Sequence, residues 1–354
     1  MVEADRRPVE RIDADILVAG GGAAGVAAAV TAARSGASVV LVERYGFCGG
    51  GAVAGLSGTV CGLYQATDRT DRAPRKVVFG FVDDFIAEME KRGGLTDPIR
   101  YGKTWTRVHD PLIWREAADT LLSDAGVRVI YHAEILAALR EGPVLEGALV
   151  STVTGRLEIR AKTCVDATGD GALSAMAGLE TYMGDGHTVQ NPTMVFRMLN
   201  ADVTRFQNTY GSDSIMPVEV SDLIAKADGN GYSLPRRKIW IFPTTRPSEL
   251  MCNCTRIVGE DGRELNATLW RDFSEAELQG RRQVREYARF FRDTLAGCEN
   301  TVVNDTGVQV GVRQTRQVRG RATLTNADVV TGAKFADGIA RSPWPIELHS
   351  GDKP

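Results

Sequence analysis

A chain of 354 residues that is 43% hydrophobic carries enough apolar side chain for one large core or two ordinary ones. Its 42 Lys and Arg against 45 Asp and Glu leave a net charge of −3, which argues against a nucleic-acid partner or an anionic membrane surface. The six cysteines, at 48, 61, 164, 252, 254 and 298, form no C-x-x-C pair and no disulfide framework, as expected in a reducing cytoplasm. No His/Cys/Asp cluster has ligand spacing, so no metal is expected.

Residues 1 to 12 are charged and expected to be loosely held. Ala14 to Ala19 is apolar and reads as a buried parallel strand. Gly20, Gly22 and Gly25 follow in the order G-x-G-x-x-G, and a small-residue helix is predicted over Ala23 to Arg34. Gly36 stops it, and Ser38 to Val42 reads as a second strand ending at Glu43. Each part has a physical job. Gly20 permits a tight turn, Gly22 lets a pyrophosphate approach the backbone, and Gly25 lets helix and strand pack closely. Ala23 and Ala24 begin the helix, whose free N–H groups and partial positive charge favour phosphate. Glu43 follows Gly20 by 23 residues, near the ~20 expected of a carboxylate that binds ribose. An exported or membrane segment is the competing reading, but the run is Gly and Ala rather than Leu, and Asp15 lies at its start.

GGGAVAGLSGTVCG, from Gly49 to Gly62, is too glycine-rich for a stable helix and suggests backbone against a flat ligand. Residues 65 to 76 read as a solvent loop. Val78 to Arg92 has helical periodicity, with Phe81, Phe85 and Met89 on one face, and Gly93 ends it. His109 precedes Asp110-Pro111, where Asp suits an N-cap and Pro the first helical turn of Pro111 to Ala125. Val127 to Tyr131 reads as another parallel strand. Leu136 to Leu139, Leu145 to Ser151 and Arg156 to Ala161 read as an antiparallel excursion. Thr163 to Asp170 (TCVDATGD) returns to the sheet. There Gly169 allows close backbone approach, and Asp170 can accept hydrogen bonds from a sugar or ribityl hydroxyl. Beyond Tyr182 the character changes. Short strands are expected at Thr193 to Leu199, Ile239 to Phe242 and Leu250 to Ile257, with Pro235, Pro243 and Pro247 around them. Ser274 to Thr294 reads as an amphipathic helix with a capping box at Ser274 and Glu277, and Val302 to Val312 as β-like.

The segments GGGAAG, LVERYGFCGG, VDATGDG, NPTMVFRM, SEAELQGR, GVRQTRQVRG and WPIELH together resemble the FAD-dependent oxidoreductases of the glutathione-reductase-type fold, in the branch similar to the flavoprotein component of heterodisulfide reductase. The resemblance covers nearly the whole chain. It implies FAD as cofactor, with its pyrophosphate on Gly20, Gly22 and Gly25 and its adenosine ribose on Glu43. Arg44, Gly49, Gly50 and Gly51 would flank the flavin side, the backbone near Ile135 would meet adenine, and Gly169 and Asp170 would form a second contacting loop.

Three departures from that family matter. Cys48 has no partner four residues further on, so a thiol–disulfide mechanism is not expected and Cys48 reads as a packing residue. Cys252 and Cys254 with scattered single cysteines supply no local iron–sulfur motif. Relatives continue past the WPIELH-like stretch with a strand, a glycine and a helix. The expectation is therefore a fragment, or a wall supplied by a partner segment or a second copy.

For chemistry beyond the flavin, Arg313 and Arg316 are candidate anion-binding cations, although on a strand they would face opposite sides. His349 is a candidate proton-transfer group and Arg197 a candidate substrate-side cation. The expected fold is α/β. A Rossmann-like FAD-binding parallel sheet with helices on both faces spans about 1–180, with an antiparallel excursion at about 134–161. A mixed α+β substrate domain spans 181–354. The expected function is transfer of a hydride or electron pair between a small organic substrate and flavin, with an unidentified acceptor. The residues alone leave two other readings open: an NAD-binding protein of the same fold, as in thiazole-synthase-like relatives, and a non-catalytic chain that needs a partner.

Overall fold

The computed structural model describes residues 9–69, 71–184 and 189–347. The chain folds into two compact units. One is formed by Met1–Gly50, Arg115–Met183 and Arg316–Arg321, the other by Gly51–Trp114, Gly184–Thr315 and Ala322–Pro354.

The first unit is built on a six-stranded sheet. Arg128–Ile130, Val39–Val42, Val9–Ala19 and Arg156–Asp166 lie side by side in parallel. Val144–Ser151 and Glu134–Glu141 extend that sheet antiparallel at one edge. Leu17, Ala19, Val40, Val42, Ala148 and Ile159 form its core. The predicted first helix forms over Ala23–Arg34 and buries Val26, Ala29 and Val30. The predicted excursion and return strand are one element. Arg156–Asp166 pairs antiparallel with Val144–Ser151 through its first half and parallel with Val9–Ala19 along its whole length. Lys162, between the two predicted stretches, is exposed and ion-paired to Asp15 at 2.7 Å, and the strand continues through it.

The second unit centres on an antiparallel sheet in the order Trp240–Pro243, Glu249–Asn253, Phe196–Leu199, Val302–Thr306. A 25-residue helix, Trp270–Thr294, turns Ala276, Gly280, Val284, Tyr287 and Phe291 inward, a stripe at i+3 and i+4 spacings that joins Met194, Phe196 and Ile257 in the core. Gly280 sits where a Cβ would lie 3.0 Å from Met194 Cβ. The capping box predicted at Ser274 does not form. The helix starts a turn earlier after Leu269, and the Ser274 hydroxyl donates to the Trp270 carbonyl inside it. Asp110 does cap Pro111–Asp124, its Oδ1 accepting from Leu112 N at 2.8 Å.

Other departures are local. The glycine-rich run makes one helical turn, Gly50–Val53. The strands Ile99–Tyr101 and Thr104–Val108 pair with each other although neither stands out in the sequence. Val203–Tyr210 and Val218–Ala227 are helices the periodicity does not single out. Among the described residues, no helix is long and apolar enough to cross a membrane, and no group of three His, Cys, Asp or Glu could hold a metal ion.

Candidate functional site

Three loops of the first unit converge beyond the strand ends. The first is the glycine turn. Gly20 has φ +99°, and a Cβ there would lie 2.5 Å from the Ala167 carbonyl oxygen. A Cβ on Gly25 would lie 1.8 Å from the Gly20 carbonyl oxygen, so helix and strand touch backbone to backbone. Gly22 differs. It is the N-cap residue at φ −66°, and the nearest atom to an added Cβ is 3.8 Å away. No packing within the described residues requires glycine at Gly22. No side chain caps the helix and no acid occupies its first turn, while Ala23 and Ala24 are exposed there. The first N–H groups of the helix are thus left without a side-chain cap.

The second loop follows Val39–Val42. Glu43 is 5% exposed; its Oε2 accepts from Gly21 N at 2.7 Å and its Oε1 from Tyr45 N at 2.9 Å. The acid is therefore anchored to the turn it is predicted to serve. Gly21, between the two named glycines, is not singled out by the sequence pattern, yet a Cβ there would meet Cys48 Sγ at 2.6 Å. Cys48 is buried, takes a hydrogen bond from the Tyr131 hydroxyl at 3.6 Å, and its thiol is pushed up to about 12 by burial. It is un-ionised at neutral pH and fills space under the turn. Arg44 lies over the Tyr45 ring. Gly49 N donates to the Gly21 carbonyl at 2.8 Å, and Gly50, at φ +48°, presses against Gly22. Gly51 belongs to the second unit, and an added Cβ there would meet nothing within 4 Å. Ile135 comes close because Ala133 N donates to the Glu43 carbonyl.

The third loop ends Arg156–Asp166. Asp166 accepts from Thr168 N and Oγ1 through one oxygen and from Ser174 N through the other. Burial pushes its carboxyl up, but these hydrogen bonds outweigh burial and hold it below the usual range. Sequence reasoning misses Asp166 and Thr168, though an Asp two residues before a Thr-Gly is a readable turn signal. Gly169 sits at φ +84° with open space beside it. Asp170 Oδ1 is buried and has no hydrogen-bond partner among the described residues, while its Oδ2 lies 3.9 Å from Arg316 Nη2. Gly20, Glu43, Arg44, Ile135, Thr168 and Asp170 line one small cavity of about 90 Å³.

The family model of FAD dependent oxidoreductases matches residues 15–354. The chain belongs to the FAD-dependent oxidoreductase family. No curated protein sequence matches the chain. Among solved structures, the oxidoreductase is similar to a geranylgeranyl bacteriochlorophyll reductase-like protein from Thermoplasma acidophilum, at 16% identity and TM-score 0.52, over 88% of this chain and 67% of that one. It is also similar to an aromatic hydroxylase from angucycline biosynthesis, at 12% identity and TM-score 0.50, over 88% of this chain and 55% of that one. At such identities these likenesses establish the fold, a Rossmann-like FAD-binding α/β architecture.

FAD is the cofactor, and the residues of the oxidoreductase fit it. The space left open at Gly22, the uncapped helix N-terminus and the orphaned Asp170 oxygen each provide what a dinucleotide needs: backbone approach, N–H donors for phosphate, and an acceptor for a hydroxyl.

The other predicted residues of the oxidoreductase are dispersed. Arg316 is in the first unit and donates to the Asp170 carbonyl at 3.0 Å. Arg313 is in the second unit and donates through Nε and Nη2 to Thr193 Oγ1 at 3.1 and 3.0 Å. The two arginines thus have separate partners. Arg197 is buried between Glu249, at 3.4 Å, and Asp305, at 2.5 Å. His349 lies outside the described residues. The second unit has a cavity of about 530 Å³, lined in part by Ser57, Gln190, Thr193, Asn253 and Arg313. A neighbouring one of about 260 Å³ shares Arg313 and adds Tyr101, Arg236 and Trp240. The sequence does not mark Tyr101 and Arg236 as site residues, because neither sits in a recognisable motif.

Proposed function

We propose that this protein oxidises or reduces a small organic molecule, exchanging a hydride or an electron pair with FAD, and completes turnover with a separate electron acceptor in the first case or a separate electron donor in the second. The observation that carries this reading is a dinucleotide cradle whose glycine at position 22 has no packing reason; the second unit, taken by itself, holds a ligand-sized cavity. In this reading, Gly22, Ala23 and Ala24 meet the pyrophosphate, Glu43 the adenosine ribose, Ile135 the adenine, and Gly169 and Asp170 the ribityl chain. Arg44 and Gly49 to Gly51 flank the flavin. Bound there, FAD would supply hydride and electron-pair chemistry. The protein's own residues position the reactants. Arg313 provides a cation on the substrate side, and His349 a group able to hold a proton. A thiol mechanism has no support, since the Cys48 thiol is buried and pushed up to about 12. Likeness to the flavoprotein component of heterodisulfide reductase rests on the quoted segments and remains the finer reading of the family.

Releasing the cofactor from the purified chain and identifying it by mass tests this directly. One FAD per chain and bleaching by a subset of small metabolites are expected. A colourless protein carrying NAD, or none, overturns it.

A further inference from the structure

The cavities of the second unit hold a charge arrangement that the nucleotide site does not explain. Arg236 is 5% exposed. Its backbone is clamped by Tyr287, whose hydroxyl accepts from Arg236 N at 2.8 Å and donates to its carbonyl at 2.7 Å. Its guanidinium lies 4.4 Å over the Trp240 ring and donates to Asn253 Oδ1 at 3.2 Å. Burial pushes it down to about 10, so it stays a cation at neutral pH. Arg313 faces the same cavity, and the two guanidinium charges repel one another. Among the described residues neither is ion-paired to a carboxylate. A buried cation without a counter-ion is costly, and the buried Arg236 with the half-buried Arg313 facing the same cavity calls for an anion.

The chain itself suggests the anion's shape. In Trp344-Pro345-Ile346-Glu347, Trp344 Nε1 donates to Glu347 Oε2 at 3.1 Å, so an indole and a carboxylate form one object. Both line the cavity, with the indole 5.5 Å from the Tyr101 ring. The Glu347 charge favours the Arg313 cation. Tyr101 in turn stacks near Trp240 and Phe242, which makes it a rigid apolar wall.

We propose that this cavity binds a planar organic carboxylate, its ring against Tyr101 and its carboxylate held by Arg313 and Arg236, with Trp344 and Glu347 yielding their places to it. This deepens the reading of the protein as an oxidoreductase of small organic molecules and rests on it. Indole-3-acetate and indole-3-acetamide are matched probes: same ring, with and without the charge. Calorimetric titration of the full chain, with flavin content measured on the same samples, is expected to show the acid binding about tenfold tighter than the amide, as suits charge-assisted hydrogen bonds. Arg313→Gln is expected to weaken the acid about tenfold and leave the amide unchanged, and Glu347→Ala to tighten the acid. Equal affinity for acid and amide overturns the proposal, as does an Arg313→Gln chain, folded by circular dichroism, that binds the acid as before. Should that variant not fold, the acid–amide pair on the unaltered chain still decides. A colourless protein that discriminates the acid sinks the flavin reading alone; a yellow one blind to the charge sinks this one alone.

Discussion

The glycine turn and the arginine cavity, each proposed to hold an anion, are built in opposite ways. The turn is made of backbone: helix N–H groups, close approaches where no Cβ fits, and one acid tied to the turn's own amide. The cavity is made of side chains drawn from residues far apart in the chain, among them Tyr101, Arg236 and Arg313. A backbone site tolerates few substitutions because any side chain intrudes. A side-chain site depends on the burial that its surroundings impose on ionisable groups.

The sharpest test within the turn pits Gly25 against Gly22. Gly25→Ala drives a Cβ into the Gly20 carbonyl and is expected to cost about 3 kcal/mol, read as a lowered Tm, together with loss of FAD. Gly22→Ala meets only the Gly50 Cα, at an ordinary 3.8 Å, and its φ suits alanine. The apoprotein should be unchanged or more stable by about 0.5 kcal/mol, while FAD binds about tenfold more weakly. If both variants behave alike, the assignment of Gly22 to the ligand fails.

The second unit's dependence on buried side chains predicts a pH effect. His109 is buried against Trp114, neither ring nitrogen has a partner among the described residues, and burial lowers its pKa from 6.5 to about 4. The unfolded chain takes up this proton first, so stability is full above pH 6.5 and falls as pH drops toward 4. The expected loss is about 3 kcal/mol, in denaturant titrations at stepped pH. His109→Phe should remove that slope; an unchanged slope means other groups cause it. The smallest effect is expected at Asp170→Asn, about fivefold in FAD affinity with an unaltered Tm, from loss of one charged acceptor. Equal FAD affinity would remove Asp170 from the site.

The same contrast explains what is legible in the sequence. Gly20, Gly25 and Glu43 are readable because backbone sterics act over a few residues and leave a spaced pattern. Gly21 escapes because its constraint, the Cys48 sulfur, arrives from a later loop. Ser274 and Glu277 have the spacing of a capping box, but the helix begins at Trp270, where no polar cap announces it. Ile99–Tyr101 and Thr104–Val108 are strands of three and five residues in a small sheet that Thr59–Val60 completes, too short for periodicity to mark them. Arg236 lies in an unremarkable Pro-Arg-Arg, and only tertiary packing under Tyr287 makes it a buried cation.

The long pairing of Val9–Ala19 with Arg156–Asp166 has a further consequence. The two strands run in step from Val9 opposite Arg156 to Ala19 opposite Asp166, so the turn carrying Gly20 and the loop carrying Asp170 leave the same rung of the ladder. Deleting one residue from either strand would slide one loop past the other by about 3.3 Å and turn every following side chain to the wrong face. The paired strands act as a ruler for the two loops, and their register, more than any single contact, sets how the groups on one loop stand opposite those on the other.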